Sequence, residues 1–125
     1  PTPDEEADIR FGFAMAKEIG RWDIGQTVVV KNKAVMAVEA IEGTDACIAR
    51  ACALGRGGVT VAKTAKPGQD VRFDMPAVGP DTLHAMIAGG AAALVMEAGR
   101  TLLVDREAVI RLADEHNITI VAMVE

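Results

Sequence analysis

The chain has 125 residues and a mass of 13.1 kDa, enough for one domain that buries roughly two-thirds of the surface its unfolded form exposes. Its formal net charge of -5 sets 18 Asp and Glu against 13 Lys and Arg; with no local basic cluster, it excludes nucleic acid as an expected partner. Half of the residues are apolar, yet windows such as Ala91 to Met96 fall far short of the ~20 residues a membrane-spanning helix needs.

Thr2, Pro3, Asp4 and Glu5 have the form of a capping box, with a hydroxyl at the N-cap, Pro at the first helical position and Glu reaching back. The helix they open carries Ile9, Phe13, Ala16 and Gly20 on one stripe, with Phe11, Met15 and Ile19 beside it, and ends near Gly20. "QTVVV" and "AVMAVEA" flank Asn32-Lys33 and predict a β-hairpin. Glu42-Gly43-Thr44-Asp45 then breaks the strand and caps a second helix, with Cys47, Ile48, Ala51, Cys52 and Leu54 facing inward and Gly55 as its stop.

"GGVTVAK" is a short buried strand, and after Lys66-Pro67-Gly68 the stretch "PGQDVRFDMP" predicts a charged one. Gly79-Pro80-Asp81-Thr82 opens a third helix bearing Leu83, Met86 and Ile87, closed by Gly89-Gly90. "AAALVME" and "TLLVD" are strands around Ala98-Gly99-Arg100. Asp105 caps a fourth helix with Val109, Ile110, Leu112 and Ala113 inward, and "ITIVAMV" is the last strand. Alternating helices and near-continuous apolar strands imply an α/β fold: a three-layer sandwich whose mixed β-sheet is covered by helices on both faces. With three Phe, one Trp and no Tyr, its core must be built from Ala, Val, Ile, Leu and Met.

Residues two apart on a strand share a side, so Asp70, Arg72 and Asp74 face one way and Val71, Phe73 and Met75 the other. A solvated edge strand whose charges pair with one another would look the same. Lys63 and Lys66 before the strand and "VGPDT" after it add a second reading. A helix start at Gly79 offers free backbone N–H groups and, with the Thr82 hydroxyl, suits a phosphate oxygen, although ordinary helices begin this way too. Carboxylates and cations so close in sequence fit a site where Asp oxygens hold Mg²⁺ and Lys or Arg holds phosphate. Asp45 is either a further carboxylate at the sheet's mouth or a favourable helix-dipole charge, and Glu97 ends an apolar strand where only an open site solvates it.

Cys47 and Cys52 have neither disulfide nor metal-ligand spacing and are expected as buried thiols. His84 and His116 lack the spacing of a metal pair, and no Gly-x-Gly-x-x-Gly turn, Walker loop, nucleophile elbow or zinc-deaminase signature occurs. The absence of a secretory segment makes the cytoplasm the default compartment. A first residue other than Met suggests processing or a domain cut from a longer protein.

"AVEAIEGTDACIARACALGRGGVTVAK", "KPGQDVRFDMPAVGPDTL" and "EAGRTLLVDREAVIRLADEHNITIVA" resemble the C-terminal domain of the UDP-2,3-diacylglucosamine diphosphatases of lipid A synthesis, the type unrelated to calcineurin-like phosphoesterases. The resemblance runs from about Trp22 to Val124. It implies Mg²⁺-dependent hydrolysis of the substrate's pyrophosphate to UMP and 2,3-diacylglucosamine 1-phosphate. It also implies a cytoplasmic enzyme peripheral to the inner membrane of a Gram-negative bacterium.

On this resemblance Asp74 is the essential acid, with Asp70 and Arg72 beside it as catalytic residues. Lys66, Thr82, Asp45 and Glu97 are carried over as substrate-binding; the helix start adds Gly79 to them, and the mechanism expected from these residues has Asp74, with Asp70 or Asp45, hold the metal. Residues 1-125 then form one α/β domain, with residues 1-21 as an N-terminal helix, and make up the catalytic half of a two-domain enzyme whose N-terminal domain is the missing partner. Two other readings stand beside this one: a module that binds a nucleotide or phosphoglycolipid without chemistry, and a homodimerisation domain built on its small-residue core.

Overall fold

A computed structural model describes residues 2–67 and 75–125. Helix α1, Pro3–Arg21, starts on the expected capping box: the Thr2 hydroxyl accepts from the Glu5 amide at 3.1 Å, and the Glu5 carboxylate accepts from the Thr2 amide at 3.0 Å. The backbone hydrogen bond from Thr2, the largest influence, lowers the Glu5 pKa from its ordinary value. Strands β1, Thr27–Lys31, and β2, Ala34–Val38, pair antiparallel. Asn32 and Lys33 take left-handed φ values of 52° and 58°, as a two-residue hairpin turn that follows strand twist requires. Asp8 on α1 accepts from both turn amides, at 3.0 and 2.8 Å, and ties the helix to the hairpin.

The remaining elements are α2 (Thr44–Gly55), β3 (Thr60–Lys63), β4 (Ala77–Val78), α3 (Pro80–Gly89), β5 (Ala93–Glu97), β6 (Leu102–Leu103), α4 (Arg106–Glu115) and β7 (Thr119–Met123). The main sheet has the order β2-β1-β3-β5-β7, with β1 antiparallel to both neighbours and β3, β5 and β7 mutually parallel. Alternate residues sort the core into two layers. Val28, Val30, Ala62, Ala93 and Val95 meet Ile9, Phe13 and Ala16 of α1. Val29, Val61 and Leu94 meet Cys47 and Ile48 of α2, Leu83 and Met86 of α3, and Val109 of α4. Helices therefore cover both faces of a mixed sheet, as the sequence predicts.

Details differ where local signals compete with packing. "TLLVD" contributes only Leu102–Leu103, which pairs with β4 in a separate two-stranded sheet and does not join the main one. Leu54 and Ile110, expected inside, are 64% and 42% exposed. Each lies about 90° round its helix from the centre of the buried stripe, at 100° per residue, where the sheet no longer reaches. Gly43 and Asp105 occupy the N-cap positions of α2 and α4 without any side-chain cap bond, and α2 passes through Gly55 to end on left-handed Arg56.

Because β2 and β3 both run against β1, their carboxyl ends lie at the same edge as those of β5 and β7. Helix α2 follows β2, and α3 follows β4, whose Ala77 is held by Lys63 at the end of β3, so both helices begin at that edge and run side by side. Their far ends meet where Gly89 abuts Cys52 and the Gly58 amide donates to Gly90.

Candidate functional site at the carboxyl edge of the sheet

Ligands of open α/β sheets gather beyond the carboxyl ends of the strands, and the sequence-predicted groups that the structure describes stand at that edge. Lys63 is the last residue of β3, opposite Thr27 of β1 and Met96 of β5. Thr27 in turn meets Thr44, the first residue of α2, hydroxyl to hydroxyl at 3.2 Å. The Lys63 ammonium donates to the carbonyl of Ala77 at 2.8 Å, just before Gly79 caps α3. Burial lowers the Lys63 pKa, and the carboxylates of Glu39 and Asp45 partly oppose that shift. Asp45 is exposed in the first turn of α2, without a hydrogen bond or ion pair to any described residue. The N-cap of α3 is Gly79, which receives the Thr82 amide at 3.1 Å, and Thr82 is buried.

A second group lies on the α1 side of the same edge. Glu97, the last residue of β5, is buried and paired with Lys17 of α1, with Nζ 3.0 and 3.2 Å from its two oxygens. Both residues also grip Ala65: Lys17 donates to its carbonyl at 3.2 Å and its amide donates to Glu97 at 3.0 Å. Lys66 follows, paired with Asp23 at 2.8 Å, and this pairing lowers the Asp23 pKa.

The structure thus places Asp45 in the first turn of α2 within electrostatic reach of Lys63, Gly79 and Thr82 at the start of α3 just after the Ala77 that Lys63 holds, and Glu97 and Lys66 on the α1 side. Asp70, Arg72 and Asp74 lie outside the described residues. Sequence reasoning assigned no role to Lys17 and gave Lys63 only a supporting place. The signal for both was a cation in an apolar pattern: Lys17 follows Phe13 by four on the buried stripe of α1, and Lys63 ends the otherwise apolar "VTVA".

Among the described residues no group of three or more His, Cys, Asp or Glu side chains is placed to hold a metal ion. Of the expected Mg²⁺ ligands, Asp45 alone is described, and its unengaged carboxylate suits such an ion. No helix among the described residues is long and apolar enough to cross a membrane.

Cys47 and Cys52 are both free and buried, as expected. Burial pushes the Cys47 thiol up to about 12, with nearby Arg50 opposing. Its folded pKa lies above the unfolded one, so the native state keeps a proton that the unfolded chain releases. Stability therefore falls as pH rises from the ordinary thiol range toward 12. At pH ~8, near the ordinary thiol pKa, iodoacetamide should leave Cys47 of the native protein unmodified and alkylate it after urea unfolding, read by peptide mass.

Residues 1–121 match the family model for the LpxI C-terminal domain. Over 124 residues the chain is 48% identical to the UDP-2,3-diacylglucosamine pyrophosphatase LpxI of Caulobacter vibrioides, covering 92% of this chain and 44% of that protein. The chain thus spans less than half the length of this relative.

Proposed function

The chain belongs to the LpxI C-terminal domain family, and from that premise we propose that it is the catalytic half of an enzyme hydrolysing UDP-2,3-diacylglucosamine. The products are UMP and 2,3-diacylglucosamine 1-phosphate, in lipid A synthesis. The observation that carries this reading is the 48% identity to a pyrophosphatase of that substrate. The carboxyl edge supports it physically, because a buried ammonium and two helix starts with glycine N-caps favour a multiply charged anion.

In this reading Asp74, Asp70 and Asp45 hold Mg²⁺, which when bound neutralises charge on the pyrophosphate oxygens. Asp74 also orients the attacking water. Arg72, Lys66 and the start of α3 at Gly79 and Thr82 take up charge on the group being transferred. Water adds to one phosphorus, the bridging oxygen leaves with its electron pair, and the protons of water end on the two product phosphates. The rest of the enzyme, as an N-terminal domain, supplies the other wall of the substrate site. The glycolipid nature of the proposed substrate supports a peripheral place for the enzyme at the cytoplasmic face of the inner membrane.

The test is UMP release from UDP-2,3-diacylglucosamine by the full-length enzyme, with and without Mg²⁺. Metal-dependent release is the expected result. Substrate binding without any release would overturn the hydrolase in favour of a carrier of nucleotide-linked lipid.

A further inference from the structure

We infer that Lys63 is a further residue of the hydrolytic site, its ammonium gripping a pyrophosphate oxygen between the starts of α2 and α3. The inference rests on the function proposed above and adds to it a residue outside the family-derived set.

The position of Lys63 is fixed from both sides. In the antiparallel register it stands directly opposite Thr27, so both side chains project from the same face, and Thr27 is bonded to the first residue of α2. Its own hydrogen bond reaches Ala77, two residues before the N-cap of α3. Lys63 is thus tied to the strand that leads into α3 and stands beside the residue that meets the start of α2. Both helices have glycine N-caps with no side-chain bond; this leaves the first-turn amides of α2 without a capping oxygen and, in α3, the Asp81 amide, since Pro80 has no N–H and the Thr82 amide is bonded to the Gly79 carbonyl.

Lys63 itself is 8% exposed, and among the described residues no carboxylate lies within 4.0 Å of it. An ammonium carries three donors, and the Ala77 carbonyl occupies one of them. Taking a charge out of water without a direct counter-ion is costly, so such a lysine is poised for an anion that brings its own charge. Burial disfavours the charged form of Lys63 and Glu39 and Asp45 offset this only in part, so a bound anion supplies the compensation that the fold does not.

The full-length enzyme with Lys63→Gln or Lys63→Arg tests this directly. Gln keeps an N–H donor for Ala77 but no charge, and Arg restores the charge. The Gln variant should lose about 100-fold or more in kcat/KM for UMP release, and Arg should recover part of it. Inorganic pyrophosphate should raise the Tm of the unaltered enzyme and of Lys63→Arg, but not of Lys63→Gln. Normal turnover together with a normal pyrophosphate shift in Lys63→Gln overturns the inference. If the unaltered enzyme releases no UMP, the hydrolase reading is what fails, and the pyrophosphate-induced Tm shift still decides whether Lys63 binds the anion.

Discussion

Glu97→Ala is expected to destabilise the domain by about 3–5 kcal/mol, the usual cost of breaking a buried ion pair from one side. The side chains of Lys17 and Glu97 are only 8% and 5% exposed, so the substitution leaves an ammonium in the interior. Its other acidic neighbour, half-exposed Glu125, stands 4.0 Å away and compensates little. The Ala65 amide loses its acceptor as well. Replacing both partners, as Lys17→Met with Glu97→Leu, should recover most of the loss, because two desolvated charges then disappear together. Urea unfolding of the three proteins measures this; a Glu97→Ala variant within 1 kcal/mol of the parent contradicts it. Glu97's proposed part in substrate handling is then exerted through Ala65, where the pair fixes the backbone just before Lys66.

Asp74→Ala in the full-length enzyme should reduce turnover by about 10³-fold or more while leaving Tm within a few degrees of the parent. The assignment comes from the family resemblance of "QDVRFDMP". Both flanks of that stretch are anchored at the site: Lys66 is paired with Asp23 before it, and Ala77 is held by Lys63 after it. Asp74→Asn separates charge from shape, and it should be nearly as inactive if the carboxylate holds a metal or orients water. Retained turnover in either variant moves the chemistry to another carboxylate, with Asp45 as the next to substitute.

The layers were legible from periodicity because each core strand has alternate residues that are both apolar and point to opposite helices. Val28 and Val30 serve α1, while Val29 between them serves α2. The α1 start and the Asn32-Lys33 turn were legible because their signals act over three residues or fewer. The β4/β6 pair was not, since strands of two residues carry no period and their pairing follows from the surrounding chain. At the candidate site, the helix-start pattern singled out Gly79, Thr82 and Asp45, and the structure sets all three at helix starts on the carboxyl edge. That pattern could not find the partner of Glu97, because Lys17 lies 80 residues away. Nor could it rank Lys63, whose meaning depends on two helices beginning on either side of it.

Helix α1 is the one described helix on its side of the sheet, and its last buried turn also carries the lysine that locks Ala65. Covering the sheet and fixing the backbone at Ala65 are thus duties of a single segment. A domain transplanted or trimmed at Trp22 would bare a plane of valine and alanine to water and lose the latch on Ala65 in the same cut. Any portable unit must therefore carry α1 with the sheet.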